Sequence, residues 1–364
     1  MRAASPRARW LAASIGVLAL LGCLQIGRGQ PNQALLSYLF AFLFFTGLSL
    51  GSLALLLVHQ LTGGIWGEWL RPALLLAAHT LPLQALLVVP ILMGMHQLYP
   101  WANPDVIAAD TLLHAQAWYL NPSFFIARSV SYFVLWLSIL AALSWGGSPD
   151  RRRPGVAAAG LIIYALSTLL ASTDWAMSLM QHWHSSTFGL LVATGWILSG
   201  TALAILCALL RGAIQRAPAQ QRIDLGNLLL ALTLVWAYLA FMQYLTIWVA
   251  DLPDETAWYR PRTLTSWRVL AWMLIASHFV LPFVVLLSRA AKRRGGWLAA
   301  VALLLLLGGL IDAFWLVIPA ARPAGFALRW TDLLAPIGIG ALWFAVYLQP
   351  TRQARWTDPG LAHA

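Results

Sequence analysis

Apolar residues run through the chain in ten long blocks, at about residues 10–27, 34–60, 70–97, 123–146, 155–180, 184–211, 224–251, 266–290, 296–319 and 330–350. As helices rising 1.5 Å per residue, blocks of this length cross a hydrocarbon core of roughly 30 Å. Apolar positions within them are continuous, whereas a barrel strand would alternate over about ten residues. Several blocks exceed what a perpendicular crossing needs, so those helices tilt or protrude. The pattern predicts an all-α polytopic membrane protein of about ten transmembrane helices.

The connections are short. The longest, about residues 98–122, contains Pro100, Trp101, Pro104, Asn121 and Pro122. It is too short for a domain and is expected to fold as a cap on the membrane surface. No repeat of the solenoid kind is visible. The chain divides into a basic N-terminal segment with the first helix (1–33), a helix bundle (34–351) and a C-terminal tail (352–364). The first block has a second reading. Its Arg-rich start and Leu20-Leu21-Gly22-Cys23 also fit a lipoprotein signal cleaved before Cys23. Retention as a helix is the expectation, and either outcome orients the other nine blocks alike.

Composition agrees with the pattern: 60% of residues are hydrophobic and 10% charged, against roughly 25% charged in a globular domain. A soluble enzyme, a secreted disulfide scaffold and a disordered chain are excluded. A net charge of +11 and a pI near 10.5 would suggest nucleic acid for a soluble protein. Here the cations are arginines between apolar blocks, with Lys292 the only lysine, so their role is topological and nucleic-acid binding is set aside. Alternate connections carry 16 and 6 basic residues. The richer set includes Arg2, Arg7, Arg9, Arg151 to Arg153, Arg289 to Arg294, Arg352 and Arg355; the poorer comprises Arg28, Arg260, Arg262, Arg268, Arg322 and Arg329. This bias places both termini in the cytoplasm. Cys23 and Cys207 belong to no C-x-x-C or C-x-x-C-H pattern, so zinc, iron–sulfur and covalent haem attachment have no sequence support.

Ionisable residues inside hydrocarbon cost about 2.5–3.5 kcal/mol at a helix centre, which makes the exceptions informative. Asp312 lies in the ninth block, His278 near the middle of the eighth, and His79 in the third. Together they form a candidate proton path. His278 lies about 18 Å and Asp312 about 10 Å from the same membrane face, a gap that one or two ordered waters could cross. The competing readings are a static helix–helix hydrogen bond for Asp312 and satisfied core imidazoles for the histidines. Gly47-x-x-x-Gly51 reads as a helix contact.

The densest constellation runs from Asp174 to Gly189 and brings a carboxylate, His182, His184, two tryptophans and several hydroxyls to one short turn. With Arg128 at the start of the fourth block and Gln243 in the seventh, it forms a candidate quinone or proton site. Quinol oxidation needs a carboxylate or imidazole to accept a phenolic proton, aromatic walls and a proton exit. Structural alternatives are an aromatic girdle for the tryptophans and an Arg128 that snorkels to the interface.

Four stretches carry a family resemblance: His59 to Gly67 (HQLTGGIWG), Asp174 to Gly189, Phe241 to Tyr259, and Asp312 to Pro319 (DAFWLVIP). Their order and spacing resemble the ActF subunit family of alternative complex III, the bacterial quinol:cytochrome c oxidoreductase, and are similar to NrfD/PsrC-type membrane proteins. Family members resemble D-W-x-M-S-L-[DE]-P-H-W-[YF]-S-T at the second stretch. The chain departs there with Met180 and Gln181 for the acidic residue and proline, His184 for the aromatic, and Ser186 for the threonine. The resemblance implies a multi-pass subunit of the bacterial inner membrane that binds no redox cofactor of its own and does not catalyse alone. Iron–sulfur and haem c subunits and a second NrfD-like subunit would be its partners, with quinol as the substrate of the complex. Its contribution would be scaffold, quinone contact and a proton path. The alternatives are a secondary transporter, against which no Gly/Pro-interrupted pair of blocks is seen in corresponding halves, and a purely structural membrane anchor.

Overall fold

A computed structural model describes residues 6–144 and 153–349. Arg2, Arg151, Arg152, Arg352, Arg355 and the tail from 352 lie outside the described residues. The described residues are helical and contain no strand. Ten helical segments are long and apolar enough to span a membrane. They are α1 (Pro6–Gly27), α2 (Pro31–Thr62), α3 (Ile65–Met93), α4 (Pro122–Ser144), α5 (Pro154–Leu179), α6 (Phe188–Leu210), α7 (Ala219–Ala250), α8 (Trp267–Leu287), α9 (Gly295–Ala321) and α10 (Trp330–Tyr347). All-α polytopic architecture is therefore what the sequence pattern encodes.

Proline sets several starts. Pro31 and Pro154 open α2 and α5, and Pro122 opens α4 behind Asn121, whose side chain accepts the Phe124 N–H at 2.9 Å. At a first helical turn the missing proline N–H leaves nothing unpaired. The turn between α2 and α3 is made by Gly63 and Gly64, with φ of 66° and 96°. The stretch HQLTGGIWG is thus a tight corner, in which Gly67 leaves room for the His59 ring and His59 meets Trp66 edge-on.

α2 is the axis of the bundle, buried along almost its whole length and touching α3, α5, α6, α9 and α10. The Gly47-x-x-x-Gly51 contact is with α6. A Cβ at Gly47 would stand 2.2 Å from the Trp196 indole, and one at Gly51 2.0 Å from the Trp196 carbonyl oxygen. Since hydrocarbon supplies no hydrophobic drive between helices, such close backbone approach carries the packing energy. α1 lies against α10 and exposes most of its surface. The connection between α3 and α4 folds into short helices, Pro104–Ala109 and Thr111–Gln116. Tyr99, Trp101 and Leu113 are buried beneath it, so it forms the expected cap.

Two spans are interrupted. α3 breaks at His79 and Thr80 and again at Val88. α8 contains a π-helical turn, Ile275–Val280, just before Pro282. Proline cannot donate to the carbonyl four residues earlier, here that of His278, and a widened turn is one way a helix absorbs that loss.

Candidate functional site

His278 sits on the π-helical turn, fully buried, and neither ring nitrogen has a hydrogen-bond partner among the described residues. Its ring meets Trp236 of α7 edge-on, with centroids 4.5 Å apart. Trp236 also approaches the buried Asp312 carboxyl of α9, without completing a hydrogen bond of ordinary geometry. Two glycines make the space. A Cβ at Gly308, one turn before Asp312, would stand 2.2 Å from His278 Nδ1, and one at Gly195 of α6 would lie 3.6 Å from Asp312 Oδ2. Four helices thus deliver a carboxyl, an imidazole and an indole to one place inside the bundle. No salt bridge reaches Asp312 among the described residues. The arrangement holds groups able to take and release protons next to buried polar atoms left unpaired, a costly condition that in membrane proteins marks function.

Nearer the face that carries the cap, Asp174 and Arg128 form a closed ion pair. Arg128 Nε donates to Oδ2 at 2.8 Å and Nη2 to Oδ1 at 3.0 Å, while the Tyr132 hydroxyl donates to Oδ2 at 2.7 Å. The guanidinium lies over the Tyr119 ring at 3.8 Å and donates to the Tyr119 carbonyl. Arg128 is buried and paired with a bidentate carboxylate, so its guanidinium turns to Asp174 instead of reaching out to solvent. Three hydrogen bonds from α4 converge on the Asp174 carboxylate, so the pair reads as a clasp between α4 and α5.

The remaining members of the sequence constellation go elsewhere. His182 bonds to Asp110 of the cap through Nε2 at 2.8 Å. His184 is exposed and shares no hydrogen bond with Asp174. The amide of Gln243 accepts from Ser185 at 3.4 Å and donates to the Tyr259 hydroxyl at 3.3 Å, linking α7 to the same turn. His79 is held by its own helix, Nδ1 to the Leu75 carbonyl at 2.7 Å, and makes no hydrogen bond to Asp312 or His278. Asp174, His182 and His184 are therefore near in sequence but serve different partners.

Sequence reasoning missed three participants. Trp236 and Asp110 were not singled out as candidates. Arg262 was counted only for topology, yet it is fully buried, stacked on Trp258 at 3.4 Å. It donates to the carbonyls of Trp258, Trp315 and Leu316, and lies 3.9 Å from Met180 Sδ. Pro319 explains one acceptor, since it leaves the Trp315 carbonyl without its helical donor. Burial draws the guanidinium down to about 9, against a smaller opposing effect of Tyr259. Met180 stands where the resembled family has an acid, directly beside this cation. Polar residues inside α2, α3 and α10 form a further missed ladder: Trp343 Nε1 donates to Ser49 Oγ, which meets Thr80 Oγ1 at 2.6 Å.

No protein-family model matches the chain, and no curated protein matches it. Among the described residues, no group of three or more His, Cys, Asp or Glu side chains is placed to hold a metal ion.

Proposed function

We propose that this chain is an integral-membrane subunit of a quinol:cytochrome c oxidoreductase complex, or one serving another periplasmic acceptor, of the kind its four stretches resemble. On this reading it lies in the bacterial inner membrane with both termini in the cytoplasm, and iron–sulfur and haem c subunits carry the electrons. Quinol oxidation releases two protons with two electrons. The subunit supplies scaffold and a protonatable route, for which Asp312 is the central group and His278 its neighbour across Trp236.

The observation that carries this reading is the Asp312 carboxyl, without a salt bridge among the described residues, beside Trp236 and the unpartnered His278 ring. A structural anchor has no use for unpartnered imidazole nitrogens in its core, which lower its stability. The test is native purification followed by reconstitution of wild type and Asp312→Asn. Co-purification with haem c and iron–sulfur subunits is expected, with quinol oxidation retained but fewer protons moved per electron in the variant. A chain that purifies alone and moves a solute would favour the transporter. An Asn variant that assembles and moves protons normally would leave Asp312 structural.

A further inference from the structure

At the face where α1 ends and α10 begins, the protein holds a cavity of about 760 Å³, within the usual range for ligand sites of roughly 300–1,000 Å³. Ile26, Leu328 and Leu333 give it an apolar side, and Gln30, Gln33 and Arg329 a polar one. The charges around it do not cancel. Arg322 is bidentate to Asp332 at 2.7 and 3.0 Å and also donates to Gln33 Oε1 at 2.6 Å, so that carboxylate is already neutralised. The Arg329 guanidinium donates to the side-chain carbonyl of Gln30 and forms no salt bridge among the described residues, while its backbone N–H donates to Asp332 Oδ2 at 2.9 Å. Arg28, between the lining residues Gly27 and Gly29, is exposed and adds a second cation. Trp330, also lining the cavity, is 72% exposed, as suits an indole at headgroup level.

We infer that this cavity binds one anionic phospholipid, its phosphate on Arg329 and Gln30 and the upper part of an acyl chain against Ile26, Leu328 and Leu333. Three features select that ligand over a neutral one. The cavity sits at the ends of membrane-length helices, it joins an apolar wall to a polar one, and its unpaired charge is positive. Guanidinium binds phosphate, as it does carboxylate, through paired charge-assisted hydrogen bonds. The lipid would then tie α1 to α10 and to the start of α2 at one face. The inference is independent of the role in quinol oxidation.

The test is native mass spectrometry of the full chain, in its complex if it has one, after exchange in mild detergent. Dioleoyl phosphatidylglycerol, dioleoyl phosphatidylcholine, ubiquinone and inorganic phosphate are offered separately. One phosphatidylglycerol is expected to be retained in preference to phosphatidylcholine. Arg329→Gln should weaken retention by roughly tenfold or more, while Arg268→Gln, at an exposed position on the same face, should not. Leu333→Trp fills the apolar side with the cation intact and should also expel the lipid, which keeps the outcome readable if the arginine variant folds poorly. Retention at the wild-type level by both Arg329→Gln and Leu333→Trp would overturn the inference. So would displacement by millimolar phosphate alone, or preferential retention of ubiquinone.

Discussion

Arg128 and Asp174 bear opposite charges in a place where neither could stand alone, so each fixes the position of the other. Removing one partner of a buried pair costs about 3–5 kcal/mol, whereas replacing both by apolar groups is often near neutral. Asp174→Asn and Arg128→Met should therefore each lower the thermal midpoint of the purified protein markedly. The double variant Arg128→Met/Asp174→Leu should lose much less than the two single losses added together. Additive losses would mean that the pair is not the clasp its geometry describes. Single residues were legible in the sequence where they broke a pattern: Asp312, His278, Arg128 and Gln243 each interrupt an apolar block. Trp236 and Arg262 were not, because an indole in a girdle and an arginine in a connection are ordinary until a partner reveals them. The same limit explains Asp110, whose bond to His182 joins residues 72 positions apart.

Elements were read well in number and less well in interior. The ten blocks became ten spans because length and apolarity alone decide that a helix can cross. The π-helical turn of α8 was not foreseen, although Pro282 four residues after His278 marks the place. The cap gives a test at this scale. Desolvation is the largest single effect on the Asp110 carboxyl and pushes it up, but the amide of Leu113, the imidazole of His182 and the amide of Leu112 together outweigh it and leave the carboxyl below its ordinary value. A carboxyl lowered in the folded state stabilises it at pH above the unfolded value and loses that contribution as pH falls through the folded one. The contribution of the Asp110 carboxylate to docking of residues 104–116 should thus be lost in acid, below the ordinary carboxylate range. Amide exchange in that segment, compared between wild type and Asp110→Asn, measures it. Acid sensitivity that persists unchanged in the variant would assign the effect to another group.

For the molecule as a whole, the basic residues predict which way the bundle faces. The connection around Gln220 belongs to the arginine-rich set and that around Asp254 to the poorer one, and both residues are exposed. In intact cells, a membrane-impermeant maleimide should label Asp254→Cys and not Gln220→Cys. Cys23 and Cys207 lie within spans and give little background. Labelling of the reverse pattern would invert the topology and, with it, the side on which any released proton emerges. Charge asymmetry was available from the sequence, whereas the convergence of α6, α7, α8 and α9 on Asp312 was not. That convergence depends on glycines 195 and 308, which resemble any other small residue in an apolar block until the helices are brought together.

The contact of α2 with α6 has a mechanical consequence. At Gly51 the two backbones approach so closely that even a methyl group would collide with a carbonyl oxygen, and Gly200 of α6 meets the Ser52 amide in the same way. A machine that works by rocking one half against the other needs a seam that slides. Here α2 and α6 are interlocked backbone to backbone, so these two helices move as one body. A seam of sliding helices would therefore have to lie outside this pair.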